Sequence, residues 1–476
     1  MRCVAVTLRA EHPINQRPDS QTDTFERPPI ETKHNGHMTR QQHFGWFFGR
    51  GFGPQGWGKS DYDWNYAWQK PQIYQQSVRE LEQAGLDLVI IEDAISLGSP
   101  ETLNLRVNTA YGGPKHDPLL LTPYLFAATS HIGITPTINA GATPPYLAAR
   151  QAATLQHLSD NRFGINLVTD VKSARHFGIA ELSHDAAYDR AEEWLSVVRQ
   201  LWHSWDDGAY VGDRLTGQFA DADKLRLLQH RGEYFSVDGP LNALPFSEGD
   251  PVIVSPGGSG RGLGFAGGQS DVQLALAPLT VEGVVAYRAK VHEAARAAGR
   301  RPSDIKILFV IKPELVSSNE EVDRVIAASL HPDDATLREI LAAQSSDLET
   351  DLTVLPLDQP IGEDVFGQHV SQGTIKNLVG ANGDLATDSL RQIATRKAKK
   401  GRLADGTGFV GTADHLADFI EKLGDDADND GFIFNGDLHP VTVHRYLDQL
   451  VPILRRRGIL RQEFGNGGLR ANLNDF

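Results

Sequence analysis

The chain is poor in sulfur: it holds one cysteine, Cys3, and two methionines among 476 residues. A lone thiol excludes an internal disulfide and a cysteine-built metal site, and it suits a reducing, cytoplasmic setting. Basic residues are also in deficit. Lys and Arg number 46 against 61 Asp and Glu, a formal net charge of −15. Such a surface repels nucleic-acid phosphates and anionic lipid headgroups, so neither is an expected partner. No run of about 18 apolar residues occurs, so no membrane-spanning helix is expected. Near the start, "VAVTL" is too short for the apolar core of a secretory leader.

The polar, Pro-containing stretch that follows, "EHPINQRPDSQTDTFERPPIETKHNGH", has the composition of a disordered segment. Residues 1–37 are therefore expected to be a floppy extension ahead of an orderly region that begins at Met38. Beyond it, strand-like and helix-like segments alternate. Eight strands are expected at 43–48, 86–93, 132–139, 162–170, 251–255, 271–277, 305–312 and 430–436. Several, such as "LDLVIIED", are continuous apolar runs, as strands buried on both faces must be. Helical spacing marks 71–85, 123–130, 144–160, 186–205, 281–299, 413–424 and 441–458. Alternation of this kind builds either an open doubly wound sheet or a (β/α)8 TIM barrel, and a count of eight favours the barrel. Residues 38–476 then form a single barrel with insertions at about 206–250 and 317–410.

In a barrel the chemistry sits where the strands end. Strand two ends at Glu92 and Asp93, strand three at Asn139, and strand four brings Asn166, Thr169 and Asp170. Strand five runs into "SPGGSGRG", which offers the N–H groups of Gly257, Gly258 and Gly260, the Ser259 hydroxyl and the Arg261 charge at a helix start. That is one way to hold a phosphate; a plain flexible turn is the other reading. Asp93 is open to two roles, a general base or anchor and a helix N-cap. His184 and Tyr188, four apart, share a helix face for ligand contact or for capping and packing. Trp46, Phe47, Phe48, Trp57 and Trp64 are candidates for an apolar pocket wall or for ordinary core.

Taken together, "AGLDLVIIEDAISL", "LSDNRFGINLVTDVKSARHFG", "HDAAYDRAEEWLSVVRQLWHSW", "DKLRLLQHRGEYFSVDGPLN", "PVIVSPGGSGRG" and "DGFIFNGDLHPVTVHRYLDQLVPILRRRGILRQEF" carry a resemblance, in order, from about residue 43 onward. The chain resembles the bacterial luciferase-like FMN-dependent monooxygenases, in the branch of nitrilotriacetate monooxygenase component A and dibenzothiophene-sulfone monooxygenase. The resemblance implies a luciferase-like barrel that uses FMN as FMNH2, delivered by a separate NAD(P)H:FMN reductase. It implies oxygenation of a small organic substrate through a C4a-peroxyflavin, and a homodimer or higher oligomer. By the same carry-over, Asp93, Asn139, Ala140, Thr169, His184, Tyr188, Gly258 and Ser259 contact the cofactor, with Asn166 and His184 in the catalytic role.

The sequence departs from that pattern in places. After strand three it reads Asn139-Ala140-Gly141-Ala142 where relatives carry a hydroxyl-rich run, leaving the Ala140 and Gly141 backbone to serve. After strand one, "GRGFGPQGWG" keeps Trp57 without histidines, and the phosphate turn opens Ser255-Pro256. Two other functions therefore stay open, an F420-dependent oxidoreductase of the same superfamily and a non-catalytic flavin-binding protein. Deletion of residues 1–37 is expected to leave melting temperature and activity unchanged; a large loss of either would refute the reading of that segment.

Overall fold

The computed structural model describes residues 39–49, 67–97, 100–109, 113–246, 248–345, 348–366, 370, 372–380, 383–436, 438 and 440–476. The expected extension at 1–37, and Trp57 and Trp64, lie outside the described residues.

Eight parallel strands close into a barrel. They are β1 (His43–Phe48), β2 (Leu88–Ile91), β3 (Gly133–Asn139), β4 (Gly164–Val168), β5 (Val252–Pro256), β6 (Val272–Ala275), β7 (Lys306–Ile311) and β8 (Gly431–Gly436). Each pairs with its neighbours in chain order, and β1 closes the ring against β8, with His43 opposite Gly431 and Phe48 opposite Gly436. All eight expected strands are present, trimmed by a residue or two at most ends.

Alternation along the strands divides the core in two. Leu88, Ile90, Val252, Val254, Val272, Leu274, Leu308 and Ile433 pack together inside the barrel. Their neighbours Val89, Ile91, Ile253, Ile307, Phe309, Phe432 and Phe434 face outward and pack against the helices. The interior is tight enough to demand glycine at Gly164, where a Cβ would lie 2.6 Å from the Thr135 methyl group. Leu469 and Leu473 join the inner cluster and plug the barrel floor; a Cβ on Gly133 would meet Leu469 at 2.5 Å.

Three carboxylates repeat one arrangement at the strand entrances. Asp87, before β2, accepts the Phe44 N–H of β1 at 3.0 Å and the Arg461 guanidinium at 2.5 Å. Asp271, before β6, accepts the Ile253 N–H of β5 at 2.8 Å and Arg470 through both oxygens, at 2.7 and 2.9 Å. Asp430, before β8, accepts the Ile307 N–H of β7 at 2.9 Å, Arg288 at 2.5 Å and Arg40 at 3.1 Å. Each thus joins neighbouring strands and a more distant part of the chain.

The outer helices that matter for the site are α1 (Gln72–Ala84), α2 (Pro118–Phe126), α3 (Pro145–Leu158), α4 (His184–Trp202), α5 (Gly260–Gln269) and α6 (Val281–Ala297). The helix expected at 123–130 starts earlier and stops sooner. Asp117 caps its start by accepting the Leu120 N–H, and Pro118 takes the first turn. At the far end Glu82 accepts the N–H groups of Ser130, His131 and Ile132, which draws that backbone out of the helix. The expected helix at 441–458 is interrupted by a π-helical stretch, Arg445–Leu450. Its terminal arginines are engaged by partners from other elements: Arg455 donates to the Gln83 carbonyl, and Arg457 pairs with Asp418 and Glu421.

Of the first-strand aromatics, Trp46 and Phe48 are outer core, Trp46 edge-on to Tyr446 at 5.2 Å. Only Phe47 packs on the inner cluster. Between α4 and β5 stand two hairpins, Tyr210–Asp213 with Gln218–Ala220, and Gln229–Arg231 with Ser236–Asp238. Between β7 and β8 lies helical sequence whose Leu337, Leu341, Leu352, Leu378, Leu390 and Ile393 bury one another in a separate cluster. Among the described residues, no helix is long and apolar enough to cross a membrane.

Removing one partner of a buried ion pair typically costs about 3–5 kcal/mol. Asp87 and Arg461 are both almost wholly buried. Asp87→Ala is therefore expected to lower the thermal midpoint by many degrees. The exposed control Asp426→Ala is expected to shift it far less, and equal shifts would refute the assignment.

Candidate active site

Strands β2, β3, β4 and β5 are consecutive around the barrel, so their C-terminal ends place Asp93, Asn139, Asn166 and Ser259 along one arc of the rim. The best-defined part is the turn after β5. Gly257 sits at φ 134°, a conformation L side chains rarely adopt, and Ser259 caps α5 by accepting the Gly262 N–H at 3.0 Å. The Tyr188 hydroxyl lies over this turn: a Cβ on Gly257 or Gly262 would come within 2.9 or 2.8 Å of it. His184 Nε2 is 3.4 Å from Ser259 Oγ, and its Nδ1 is 2.8 Å from Asp185 Oδ1. The His184 and Tyr188 rings meet edge to face at 5.2 Å. Ser183, not His184, caps α4 by accepting the Ala186 N–H, so the histidine is not used for capping.

The turn is braced from behind by residues that carried no signal in the sequence. Gln273 on β6 donates to the Gly257 carbonyl at 2.9 Å, and Tyr287 on α6 donates to the same oxygen at 3.2 Å. Ser255 is buried against Ser270 at 2.6 Å and does not reach outward. Positions Gly258 and Gly260 are open, with nothing within 4 Å of an added Cβ. Arg261 is committed elsewhere, to Glu192 at 2.7 Å and Asp189 at 2.5 Å. The charge expected from it at the turn is therefore already neutralised.

Inside the mouth, Asn166 donates to Thr137 Oγ1 at 2.7 Å, and Thr137 donates to the Ile91 carbonyl at 2.7 Å. This chain fixes the amide's orientation and leaves Asn166 Oδ1 buried without a hydrogen-bond partner among the described residues. Asn139 is different. Its amide donates to the Asp170 carbonyl and accepts the Gly141 N–H, both at 2.8 Å. The Ala140 N–H is taken by the Val168 carbonyl at 3.1 Å. The N–H groups expected to serve after strand three are thus spent bracing the β3 and β4 loops. Thr169 borders a small crevice with Gly141, Ala187 and Arg190.

Beyond β2, Glu92 and Asp93 share Lys115, whose ammonium contacts Glu92 and lies 3.9 Å from Asp93. Burial pushes the Asp93 carboxyl up to about 6; Lys115 opposes that rise and Glu92 adds to it.

Glu193, on α4, also carried no signal of its own. It accepts His230 Nε2 at 2.9 Å and the Tyr234 and Phe235 N–H groups at 3.0 and 2.9 Å, pinning the second hairpin to α4. Gly232 is required there, since a Cβ would fall 2.1 Å from Glu193 Oε1. The segment "HRGEYF" is specific because a partly buried carboxylate needs that histidine, that glycine and those two N–H groups in one turn. Among the described residues, no group of His, Cys, Asp and Glu is placed to hold a metal.

Residues 43–427 match the family model described as luciferase-like monooxygenase. The chain belongs to the luciferase-like monooxygenase family. Within that family it is 34% identical over 416 residues to dibenzothiophene-sulfone monooxygenase of Rhodococcus erythropolis, covering 84% of this chain and 89% of the relative. It is 30% identical over 431 residues to nitrilotriacetate monooxygenase component A of Aminobacter aminovorans, covering 86% and 92%. A solved riboflavin lyase, with modified FMN and riboflavin bound, superposes with a TM-score of 0.75 at 25% identity, covering 92% and 96%. The resemblance read from the sequence stands, and the chain is an enzyme of the monooxygenase class.

Asp93 yields a pH signature. Its folded pKa of about 6 exceeds the ordinary 3.8, so the folded state holds the proton more tightly. The resulting stabilisation is full below about pH 4 and is lost as pH rises through about 6. The melting-temperature difference, Asp93→Asn minus wild type, is expected to grow more positive from about pH 4 to about pH 7. A flat difference would refute the shift.

Proposed function

We propose that the chain is the oxygenase component of a two-component system. It takes reduced FMN from a separate NAD(P)H:FMN reductase and inserts one oxygen atom of O2 into a small organic substrate. The observation that carries this reading is the cluster at the start of α5. Ser259, His184 and the Tyr188 hydroxyl converge on a glycine turn whose outer face is open. Donors at a helix N-terminus suit a phosphate monoester, and the carboxylates beside the turn are already paired, Asp185 with His184 and Asp189 and Glu192 with Arg261. The charge that a P-loop lysine would bring is absent, so hydroxyls, an imidazole and the helix dipole would hold the group. The residues present therefore fit the 5′-phosphate of FMN. Among the likenesses, the riboflavin lyase structure holds a modified FMN, and the two relatives named above are monooxygenases.

In this reading Gly258 and Ser259 bind the phosphate through N–H and hydroxyl, and Tyr188 and His184 close over it. Asn166, its amide fixed by Thr137, presents a buried carbonyl oxygen that accepts an N–H of the bound ring or substrate. Asp93 is a carboxyl able to keep or release its proton near neutral pH, beside the lysine that tempers it. Asn139 and Ala140 act by holding the β3 and β4 loops, and Thr169 by its place beside them. Reduced flavin, when bound, supplies the electrons that activate O2. The remaining task of the chain is to orient substrate and exclude water.

Ser259→Asp places a carboxylate where the phosphate would sit. In an anaerobic titration it is expected to weaken FMNH2 binding at least tenfold, about 1.4 kcal/mol, and to leave the thermal midpoint near wild type. Unchanged affinity would remove the phosphate assignment. Tight binding of F420 in place of FMNH2 by the wild type would redirect the reading to hydride transfer.

A further inference from the structure

A cavity of about 450 Å3 opens between the turn that leads into α3, helix α4 and the second hairpin; its lining includes Tyr146, Arg190, Tyr234, Phe235, Ser236 and Asp238. It is a different place from the phosphate turn. Arg190 follows Tyr188 by two residues, a rotation of about 200° around the helix, so it leaves α4 on another side.

Arg190 differs from the other partly or fully buried arginines near the barrel wall. Arg199, Arg261, Arg288, Arg461 and Arg470 all donate hydrogen bonds to protein oxygens. Arg190 Nε is buried with no hydrogen-bond partner, and no ion pair or hydrogen bond reaches its guanidinium among the described residues. Its guanidinium lies over the Phe235 ring, 5.1 Å from Cζ to the centroid. The nearby carboxylates are already engaged: Glu193 by the hairpin and His230, and Asp238 by Arg231 at 2.9 Å. Burial pulls the Arg190 guanidinium below its ordinary value. In a chain of net charge −15, Arg190 is a partly buried cation at the wall of an open cavity; the carboxylate that acts on it, Glu193, is already shared with His230 and two N–H groups, which leaves the guanidinium fork available to an incoming anion.

We propose that this cavity binds a small organic carboxylate. The two oxygens take the planar Arg190 fork, and the apolar part lies along Phe235 and Tyr146. The site does not depend on the flavin reading. Glu193 positions it, because the carboxylate that pins the hairpin also places Phe235 over Arg190.

The test is calorimetric titration of the full chain with benzoate, with and without saturating FMN. Wild type is expected to bind in the millimolar range or tighter and to keep that affinity with FMN present. Arg190→Gln is expected to weaken binding at least tenfold. Ser236→Asp, on the exposed edge of the hairpin, puts a negative charge at the cavity rim with little call on packing, and is expected to do the same. It decides the matter should Arg190→Gln fail to fold. No binding by wild type, or affinities unchanged in Ser236→Asp, would overturn the site. Loss of benzoate on adding FMN would also overturn it, since the anion would then have been held at the Ser259 turn.

Discussion

Each of three aspartates at the foot of the barrel ties a neighbouring strand's backbone N–H to an arginine, and the fold is organised around that repeated device. A parallel strand entering a barrel leaves N–H groups at its lower end that the ladder does not satisfy. Asp87, Asp271 and Asp430 each fill one such vacancy in the hydrogen bonding of the adjacent strand. The compensating charges come from far along the chain: Arg461, Arg470 and Arg288. Strand pairing, barrel closure, and the docking of α6 and of the segment that carries Arg461 and Arg470 are therefore coupled through three charge-assisted contacts. The apolar clusters on the two sides of the barrel wall supply burial without direction; the aspartates are directional.

The same economy marks the upper end. Few polar groups at this end face open space, and most of those around them are used to hold loops still. Gln273 and Tyr287 turn the Gly257 carbonyl away from the rim, so the N–H side of the glycine turn faces out. Thr137 sets the Asn166 amide, and Asn139 spends both ends of its own amide on backbone. Preorganisation of this kind is what a site needs to hold a charged cofactor without reorganising.

Much of the architecture was legible in the sequence, for a physical reason. Strands buried on both faces leave nearly unbroken apolar runs, and eight of those separated by helical spacing leave little choice of fold. The glycine turn after β5 was equally visible, because close approach of Tyr188 and a positive φ at Gly257 both demand glycine. Hidden were the contacts that join distant segments. Nothing local marks Glu193 as the anchor of the hairpin, or Glu82 as the group that ends α2, or Asn139 as a brace between the β3 and β4 loops. Arg261 misled in the opposite way. It sits beside the turn in sequence, yet Asp189 and Glu192 on the neighbouring helix α4 claim it.

The floor of the barrel has a consequence for how such a molecule is made. Its plug, Leu469 and Leu473, and the arginine that neutralises Asp87 come from sequence synthesised after every strand of the ring. A nascent chain with β1 and β2 already emerged carries a carboxylate whose partner does not yet exist, and an open-ended cavity lined with branched aliphatics. Early strands can collapse against helices α1 and α2, but sealing is a late event that depends on the tail finding the first two strands. The vulnerable interval in biosynthesis is thus the wait for residues 461–473, when exposed strand edges and an unplugged interior invite association with other unfinished chains.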